Sequence, residues 1–391
     1  MAAKKSGGNA QALQYTVIKV RLYPTEEQAE HIEKTFGCCR WLWNQMLSDT
    51  REFYAATDLQ YIPTPARYKK EAPFLKEVDS QPLCTVHQNL RKAFLDFFRN
   101  PSAFRAPQFK TKKARRDSFT SYCRQYRTGP TIYMTADGVR LPKLGLVRAK
   151  VHRKPLHWWA PRSATVTKTR SGKYFCSVTF AYAARQPEKA APARETALGL
   201  HYSPGRFYVD SGGHSPAPLL RLENTREKLA RIQQKLSRME RGSRNYERQL
   251  QKLRLLHEHA ANQRKDFIHK ESRRIANAWD AVCVRDFGLA ELARGRRGSA
   301  PMDAGFGMFR ECLRYKLERQ GKAYIAVDRR APVARTCGAC GAVNEDLPAQ
   351  GGDWICPHCG AAVPRAVNAA RNLRDMGLAR YREQCKETGA A

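Results

Sequence analysis

Two Cys-X-X-Cys pairs stand close together near the C-terminus, with 15 residues between them. Each pair places two thiols on one tight turn, and a glycine follows each pair directly. Two such pairs at this spacing match the template of a four-cysteine zinc site. We therefore predict one structural zinc ion bound by Cys337, Cys340, Cys356 and Cys359, which leaves no open coordination position.

Other interpretations of these cysteines are a thioredoxin-like redox pair or a chance spacing. His358 lies inside the second pair and is an alternative ligand, although four cysteines make it unnecessary. The remaining eight cysteines are scattered, several of them in apolar stretches. This distribution indicates buried thiols in a reducing cytosol and not a disulfide framework.

The charge of the chain points to a polyanionic partner. The 391 residues carry a formal net charge of +34, which suits binding to nucleic acid. Because 42% of the residues are hydrophobic, we expect a folded protein and not a disordered basic tail. No apolar run approaches 18 residues, and the N-terminus has no apolar signal stretch. We therefore expect no membrane association and a cytoplasmic location.

Hydrophobic periodicity indicates several kinds of element. It predicts a strand over 15–24, a helix from Thr25 to about Leu47 and a second helix over 80–99. Residues 131–182 alternate in the manner of short strands and suggest a small barrel-like domain. From residue 197 onwards the order is strand, hairpin, two long helices, strand, helix, strand and helix, which is typical of an α/β fold.

Several long segments resemble the TnpB family of transposon-encoded, RNA-guided DNA nucleases, which are relatives of the type V CRISPR effectors. The resemblance covers about residues 15–380. Its motifs are KVRLYPTEEQAEHIEKTFGCCRWLWNQ, LPKLGLVRAKVHR, SRMERGSRNYERQL, ANQRKDFIHK, GFGMFRECLRYKLERQGK, TCGACG, CPHCG and VNAARNL.

The resemblance implies a multidomain α+β and α/β protein. A β-barrel (WED) domain with a helical recognition (REC) insert is expected first, followed by an RNase H-like RuvC domain with an inserted zinc ribbon. The implied boundaries are a disordered N-terminus 1–14, the start of the barrel and the first REC helix 15–48, the REC domain 49–125, the barrel 126–183, a linker 184–195, the RuvC-like domain 196–330 with a helical hairpin 223–278, the ribbon 331–362, the end of the RuvC-like domain 363–380 and a tail 381–391.

The family's nuclease site uses an Asp, a Glu and an Asp to hold two divalent metal ions. In this chain the matching motifs read GLHYS, VRDF and VPRAVNAA, so the three positions hold His201, Arg285 and Ala366. None is a carboxylate, and we expect neither catalytic Mg²⁺ nor enzyme activity. Asp210 and Asp286 are nearby in sequence, but we do not expect them to rebuild the site, because metal catalysis needs precise ligand geometry.

The resemblance also suggests contacts to nucleic acid. Residues expected to read the short motif beside the DNA target (the TAM) are Tyr61, Ser80, Gln81, Cys84, Thr120 and Ser121; alternatively, Ser80 and Gln81 simply cap the following helix. Residues expected to bind phosphate are Lys110, Lys112, Lys113, Arg115, Arg116, Arg148, Lys150, Arg153 and Lys154. Trp158 and Trp159 either stack on RNA bases or pack in the core.

We therefore expect a nuclease-inactive, TnpB-like protein of the bacterial cytoplasm and nucleoid. Its partners would be a transposon-end-derived guide RNA, with one protein bound per RNA, and a double-stranded DNA target with a TAM. Guide–target pairing would supply specificity, and the bound complex would repress transcription. The alternatives are an active RNA-guided endonuclease with a displaced metal site and a guide-independent DNA-binding transposon remnant.

Overall fold

The computed structural model describes residues 12–59, 61–112, 117–184, 192–203, 206–216, 220–286, 305–348 and 351–387. The chain divides into two compact units, Met1–Arg185 and Gln186–Ala391. Within these described ranges, no helix is both long enough and apolar enough to cross a lipid bilayer.

A seven-stranded antiparallel sheet is the framework of the first unit. Its strands are β1 (Ala12–Leu22), β2 (Ser118–Tyr122), β5 (Tyr133–Met134), β6 (Gly138–Leu141), β7 (Gly145–Lys150), β8 (Ala160–Lys168) and β9 (Tyr174–Ala184), in the order β2-β8-β9-β1-β7-β6-β5. A separate ribbon pairs β3 (Gln125–Tyr126) with β4 (Gly129–Pro130). Along β1, buried Ile18, Val20 and Leu22 alternate with exposed residues. One face of the sheet therefore lines the core and the other faces solvent.

Helices α1 (Glu26–Thr57), α2 (Pro65–Glu71) and α3 (Ser80–Arg99), with a short 3-10 helix Pro73–Lys76, belong to the same unit. Thr25 and Gln28 form a reciprocal capping box at the start of α1, and the Gln28 side chain also donates to two β6–β7 carbonyls. Buried residues of α1 and α3, such as Leu42 and Leu83, join the same hydrophobic cluster as Ile18 of β1.

Several predicted boundaries in this unit differ from the structure. Helix α1 continues ten residues past Leu47, because no glycine or proline interrupts residues 48–57. Strand β1 begins at Ala12, inside the segment 1–14 expected to be disordered; residues 1–11 lie outside the described part. Residues 118–122, expected in a helical domain, form strand β2 and pair with β8.

The second unit is built on a four-stranded sheet in the order β11-β10-β12-β13. Strands β10 (Ala197–His201), β12 (Ala281–Arg285) and β13 (Ala323–Val327) are parallel, and β11 (Val209–Asp210) is antiparallel to β10. Helices α4 (Leu220–Ser237) and α5 (Arg244–Ala278) form the predicted hairpin, and α6 (Phe306–Arg319) and α7 (Arg365–Glu387) follow. The tail expected from residue 381 is therefore helical to Glu387; residues 388–391 lie outside the described part.

Helices cover both faces of this parallel sheet. Leu198 and Val282 pack with residues of α5 and α6, whereas Ala197 and Cys283 pack with Leu378 of α7. Helix α7 approaches β10 so closely that a Cβ atom on Gly199 would lie 1.8 Å from the carbonyl oxygen of Ala370. A glycine is therefore required at this point of β10. The order of strands and helices predicted from residue 197 onwards is confirmed.

Candidate functional site

The four predicted zinc ligands come together between β13 and α7. The sulfur atoms of Cys337, Cys340, Cys356 and Cys359 all lie within 4.8 Å of one another. Both turns have the same geometry: the amide of the glycine after each pair donates to the carbonyl of the first cysteine at 2.9 Å. Strands β14 (Trp354–Ile355) and β15 (Ala362–Val363) flank the second pair.

This cluster fits the size of a zinc ion. A tetrahedral site with Zn–S distances of about 2.3 Å needs sulfur atoms about 3.8 Å apart. The Cys337–Cys359 and Cys340–Cys356 sulfur atoms are 3.8 and 3.7 Å apart. Backbone amides of Cys340 and Ala339 lower the pKa of the Cys337 thiol. His358 is exposed and is not part of the group.

Two buried asparagines of α7 hold this ribbon. Asn368 accepts from the amide of Gly338 at 2.8 Å and donates to the carbonyl of Thr336 at 2.7 Å. Asn372, one turn later, donates to the carbonyls of Val333 and Thr336. The sequence analysis did not assign these roles; the i, i+4 spacing of the two asparagines was the available signal.

The three positions matching the RuvC triad converge at one edge of the parallel sheet. Leu200 and Val284 are register partners, so His201 and Arg285 follow side by side at the ends of β10 and β12. Ala366 lies in the first turn of α7, one turn before Ala370, which touches β10. The structure therefore brings together the three residues that the sequence motifs single out.

The electrostatics of this edge are cationic. Arg285 donates from Nε and Nη2 to the carbonyl of Arg329 at 3.0 and 2.5 Å, and from Nη2 to the carbonyl of Ala331 at 3.4 Å. Burial, and then the positive charges of Arg285 and Arg365, lower the pKa of His201 to about 4. The imidazole is therefore neutral at pH 7, while the guanidinium keeps its charge.

The two neighbouring aspartates have other partners. Asp210 is buried and accepts from the amides of Gly212 and His214, which closes the turn after β11. Asp286 contacts Arg310 of α6 at 3.4 Å. Across the described residues, the one group of three or more metal-binding side chains is the cysteine cluster.

Five of the six predicted TAM-reading residues lie on two elements that touch, the start of α3 and strand β2. Asp79, which the sequence analysis missed, caps α3 by accepting from the Gln81 amide at 3.2 Å. Because of that bond, Asp79, and not Ser80 or Gln81, is the capping residue of α3. Asp79 also accepts from the Ser121 hydroxyl at 2.5 Å. Cys84 is exposed, whereas Ser121 is buried. The sixth residue, Tyr61, packs on Phe53 near the end of α1, with ring centroids 5.4 Å apart.

The predicted phosphate-binding residues fall into three groups. Lys113, Arg115 and Arg116 lie outside the described residues. Lys110 is exposed as a whole, but its Nζ lies 3.7 Å from the centroid of the Trp43 ring, and partial desolvation there lowers its pKa. The remaining residues are exposed, namely Lys112, Arg148, Lys150, Arg153 and Lys154.

The solvent face of the sheet carries further basic residues that the sequence analysis missed. Arg21 of β1 is the register partner of Lys150, and Lys19 lies two residues earlier on the same face. The alternation of KVRLY along β1 was the available signal. Of the two tryptophans, Trp159 is buried and stacks on Tyr182, whereas Trp158 is exposed.

Family models match along most of the chain. A model described as "Helix-turn-helix domain" matches residues 15–58, "Probable transposase" matches 189–295 and "Cas12f1-like, TNB domain" matches 306–373. The first description differs from the structure, in which β1 and the single long helix α1 occupy that range.

Relatives extend over nearly the whole chain. A "Putative RNA-guided DNA endonuclease" of Streptomyces pristinaespiralis is 32% identical over 373 residues, covering 92% of this chain and 89% of the relative. The "Putative RNA-guided DNA endonuclease InsQ" of Escherichia coli (strain K12) is 26% identical over 387 residues and covers 92% of each protein. The solved "Cryo-EM structure of the Cas12f1-sgRNA-target DNA complex" aligns with a TM-score of 0.58 at 10% identity, covering 93% of this chain and 99% of that chain.

A sheet of three parallel strands and one antiparallel edge strand, covered by helices on both faces and with a four-cysteine ribbon before the last helix, fits a RuvC-type mixed α/β fold. The extent and identity of the similarity to the Streptomyces relative, together with the matching family models, identify the family. The chain belongs to the TnpB family.

Proposed function

We propose that this protein binds a guide RNA, uses it to bind TAM-adjacent complementary DNA without cleaving it, and thereby represses transcription. The observation that carries the proposal is the side-chain chemistry where β10, β12 and α7 meet. Those positions hold a neutral imidazole, a guanidinium and a methyl group.

Such a site is unsuited to two-metal hydrolysis. Mg²⁺ takes oxygen ligands, and phosphodiester cleavage by two metals needs carboxylates to hold both ions. A unit charge about 4 Å from another interacts by about 4 kcal/mol at an effective dielectric of 20, and the charge of Arg285 has the repulsive sign for a cation. Asp210 and Asp286, which follow His201 and Arg285 closely in sequence, make contacts elsewhere.

Binding, by contrast, is supported by the rest of the molecule. The net charge is +34, and the solvent face of the seven-stranded sheet carries Lys19, Arg21, Arg148 and Lys150. The relatives are named RNA-guided endonucleases, and Cas12f1, whose fold is similar, was solved with guide RNA and target DNA. In this proposal the sheet is the WED domain, α1 to α3 belong to the REC domain, and the ribbon binds one structural zinc ion.

The test begins with the RNA that copurifies with the protein. Sequencing that RNA should reveal one discrete species, whose 3′ end defines a target. A matched, TAM-bearing plasmid should then be bound and remain intact in Mg²⁺, and a promoter carrying the target should be silenced. DNA affinity that is unchanged after RNase treatment would instead indicate guide-independent binding and refute the proposal.

A further inference from the structure

A polar cavity of about 530 Å³ lies in the second unit, beside the zinc ribbon, and neither His201 nor Arg285 is among its lining residues. Its walls are the turn after β11 at Ser211, the first cysteine turn at Gly338 and Ala339, and one face of α7. The volume is in the range of pockets that hold small molecules and exceeds what a single phosphate group needs.

Charge in this cavity is strongly biased. Three arginines, Arg194, Arg371 and Arg374, line it together with a single carboxylate, Asp375. Asp375 accepts a bidentate pair of hydrogen bonds from Arg194 at 3.1 and 3.0 Å and further bonds from Arg374 at 2.9 and 3.3 Å. One carboxylate therefore orients two of the guanidinium groups, and Arg371 is left outside this ion-pair network.

Arg371 is held differently. Its Nε donates to the carbonyl of Ser211 at 3.2 Å, which fixes the plane of the guanidinium. For the described part of the chain, its two terminal nitrogens have no protein partner. A guanidinium fixed through Nε and open at both terminal nitrogens matches the two oxygens of a phosphate.

We propose that this cavity binds a phosphodiester group of a nucleic-acid strand, with Arg371 as the forked donor and Arg194 and Arg374 as supporting charges. This inference rests on the proposed nucleic-acid-binding function. The strand can come from the guide RNA or from the target DNA, and both present the same phosphate chemistry.

The experiment compares Arg371→Ala and Arg371→Lys with Arg382→Ala, since Arg382 is an exposed arginine further along the same helix. Dissociation constants are measured in two arms, RNA-free protein with the copurified guide RNA, and RNA-loaded protein with matched DNA. We expect Arg371→Ala to weaken one arm about tenfold, the size of one lost charge-assisted hydrogen bond. The affected arm names the strand.

The lysine variant distinguishes the effect of the forked guanidinium geometry from the effect of the positive charge alone. Lysine keeps the positive charge but not the planar fork, so Arg371→Lys should weaken the same arm several-fold, while Arg382→Ala changes it less than about twofold. Equal affinities for Arg371→Ala and Arg382→Ala in both arms would overturn the cavity proposal alone. Wild-type protein that binds neither RNA nor DNA would overturn the proposed function, and this proposal with it.

Discussion

Arg285 donates two hydrogen bonds to the backbone carbonyl of Arg329, and so joins the end of β12 to the segment that leads from β13 into the zinc ribbon. Arg285→Ala leaves the Arg329 carbonyl without its charged donor, and we expect this variant to lower the free energy of unfolding by about 1–3 kcal/mol. Chemical denaturation measures the change. Arg330→Ala removes an exposed arginine from the same segment and is the control; an equal effect of both variants would contradict this role.

Restoring carboxylates at the three triad positions is expected to destabilise the protein when Mg²⁺ is absent. The combination His201→Asp, Arg285→Glu and Ala366→Asp removes the Arg285 contacts and brings a carboxylate toward the same carbonyls. We therefore predict a less stable protein than wild type. Its melting temperature, measured with and without Mg²⁺, should rise when Mg²⁺ is added, because the new carboxylates are metal ligands. A triple variant as stable as wild type without Mg²⁺ would contradict the prediction.

His201 should titrate well below an ordinary histidine. Its pKa is lowered to about 4, so between pH 6.5 and 4 the unfolded state binds a proton that the folded state does not. Stability should therefore fall as pH drops through this window, by up to about 3 kcal/mol from this group. Comparing wild type with His201→Gln isolates the effect, and His358→Gln is the exposed control. A ring titration near pH 6.5, seen by NMR, would refute the assignment.

Zinc should be a structural part of the second unit. We expect one zinc ion per chain by elemental analysis and a lower melting temperature after chelation, because four thiolates gathered without metal repel one another. Cys340→Ser should lose the metal, whereas Cys385→Ser, outside the ribbon, should retain it. Equal zinc content in both variants would show that the cluster is not the site.

Asp79 should couple α3 to β2. Asp79→Ala removes an N-cap and the partner of the buried Ser121 hydroxyl, and we expect a loss of about 1–3 kcal/mol. Ser121→Ala removes one of these bonds and should cost less. In RNA-loaded protein, Asp79→Ala should also broaden the range of TAM sequences that are bound, as measured on a randomised DNA library. An unchanged range would show that the Asp79 cap takes no part in TAM reading.

Local signals predicted the zinc turns and the α/β order of the second unit, because each depends on residues close in sequence. Helix α1 was predicted too short because its apolar stripe ends near Leu47, where the helix leaves the core, although helical geometry continues to Thr57. Periodicity reports burial and not the helix itself. Strand β2 was missed because it is recognised only by its pairing with β8, more than 40 residues later.

The candidate site likewise contains few features that local sequence could predict and several that depend on the folded chain. Its three triad positions were identified only through the family resemblance, since a histidine and an arginine at strand ends carry no local signal of a lost metal site. The contacts of Asp79, Arg285 and Asn368 join segments distant in sequence, so they become visible only in the folded chain.

Cleavage of a guide-matched plasmid is the most direct test of the absence of a metal site where β10, β12 and α7 meet. RNA-loaded protein is incubated with a TAM-bearing plasmid in Mg²⁺, beside a nuclease-active family member as positive control, and binding is measured on the same sample. We predict full binding with supercoiled plasmid unchanged. Nicked or linear plasmid that is no longer formed when EDTA is present would contradict the proposed function.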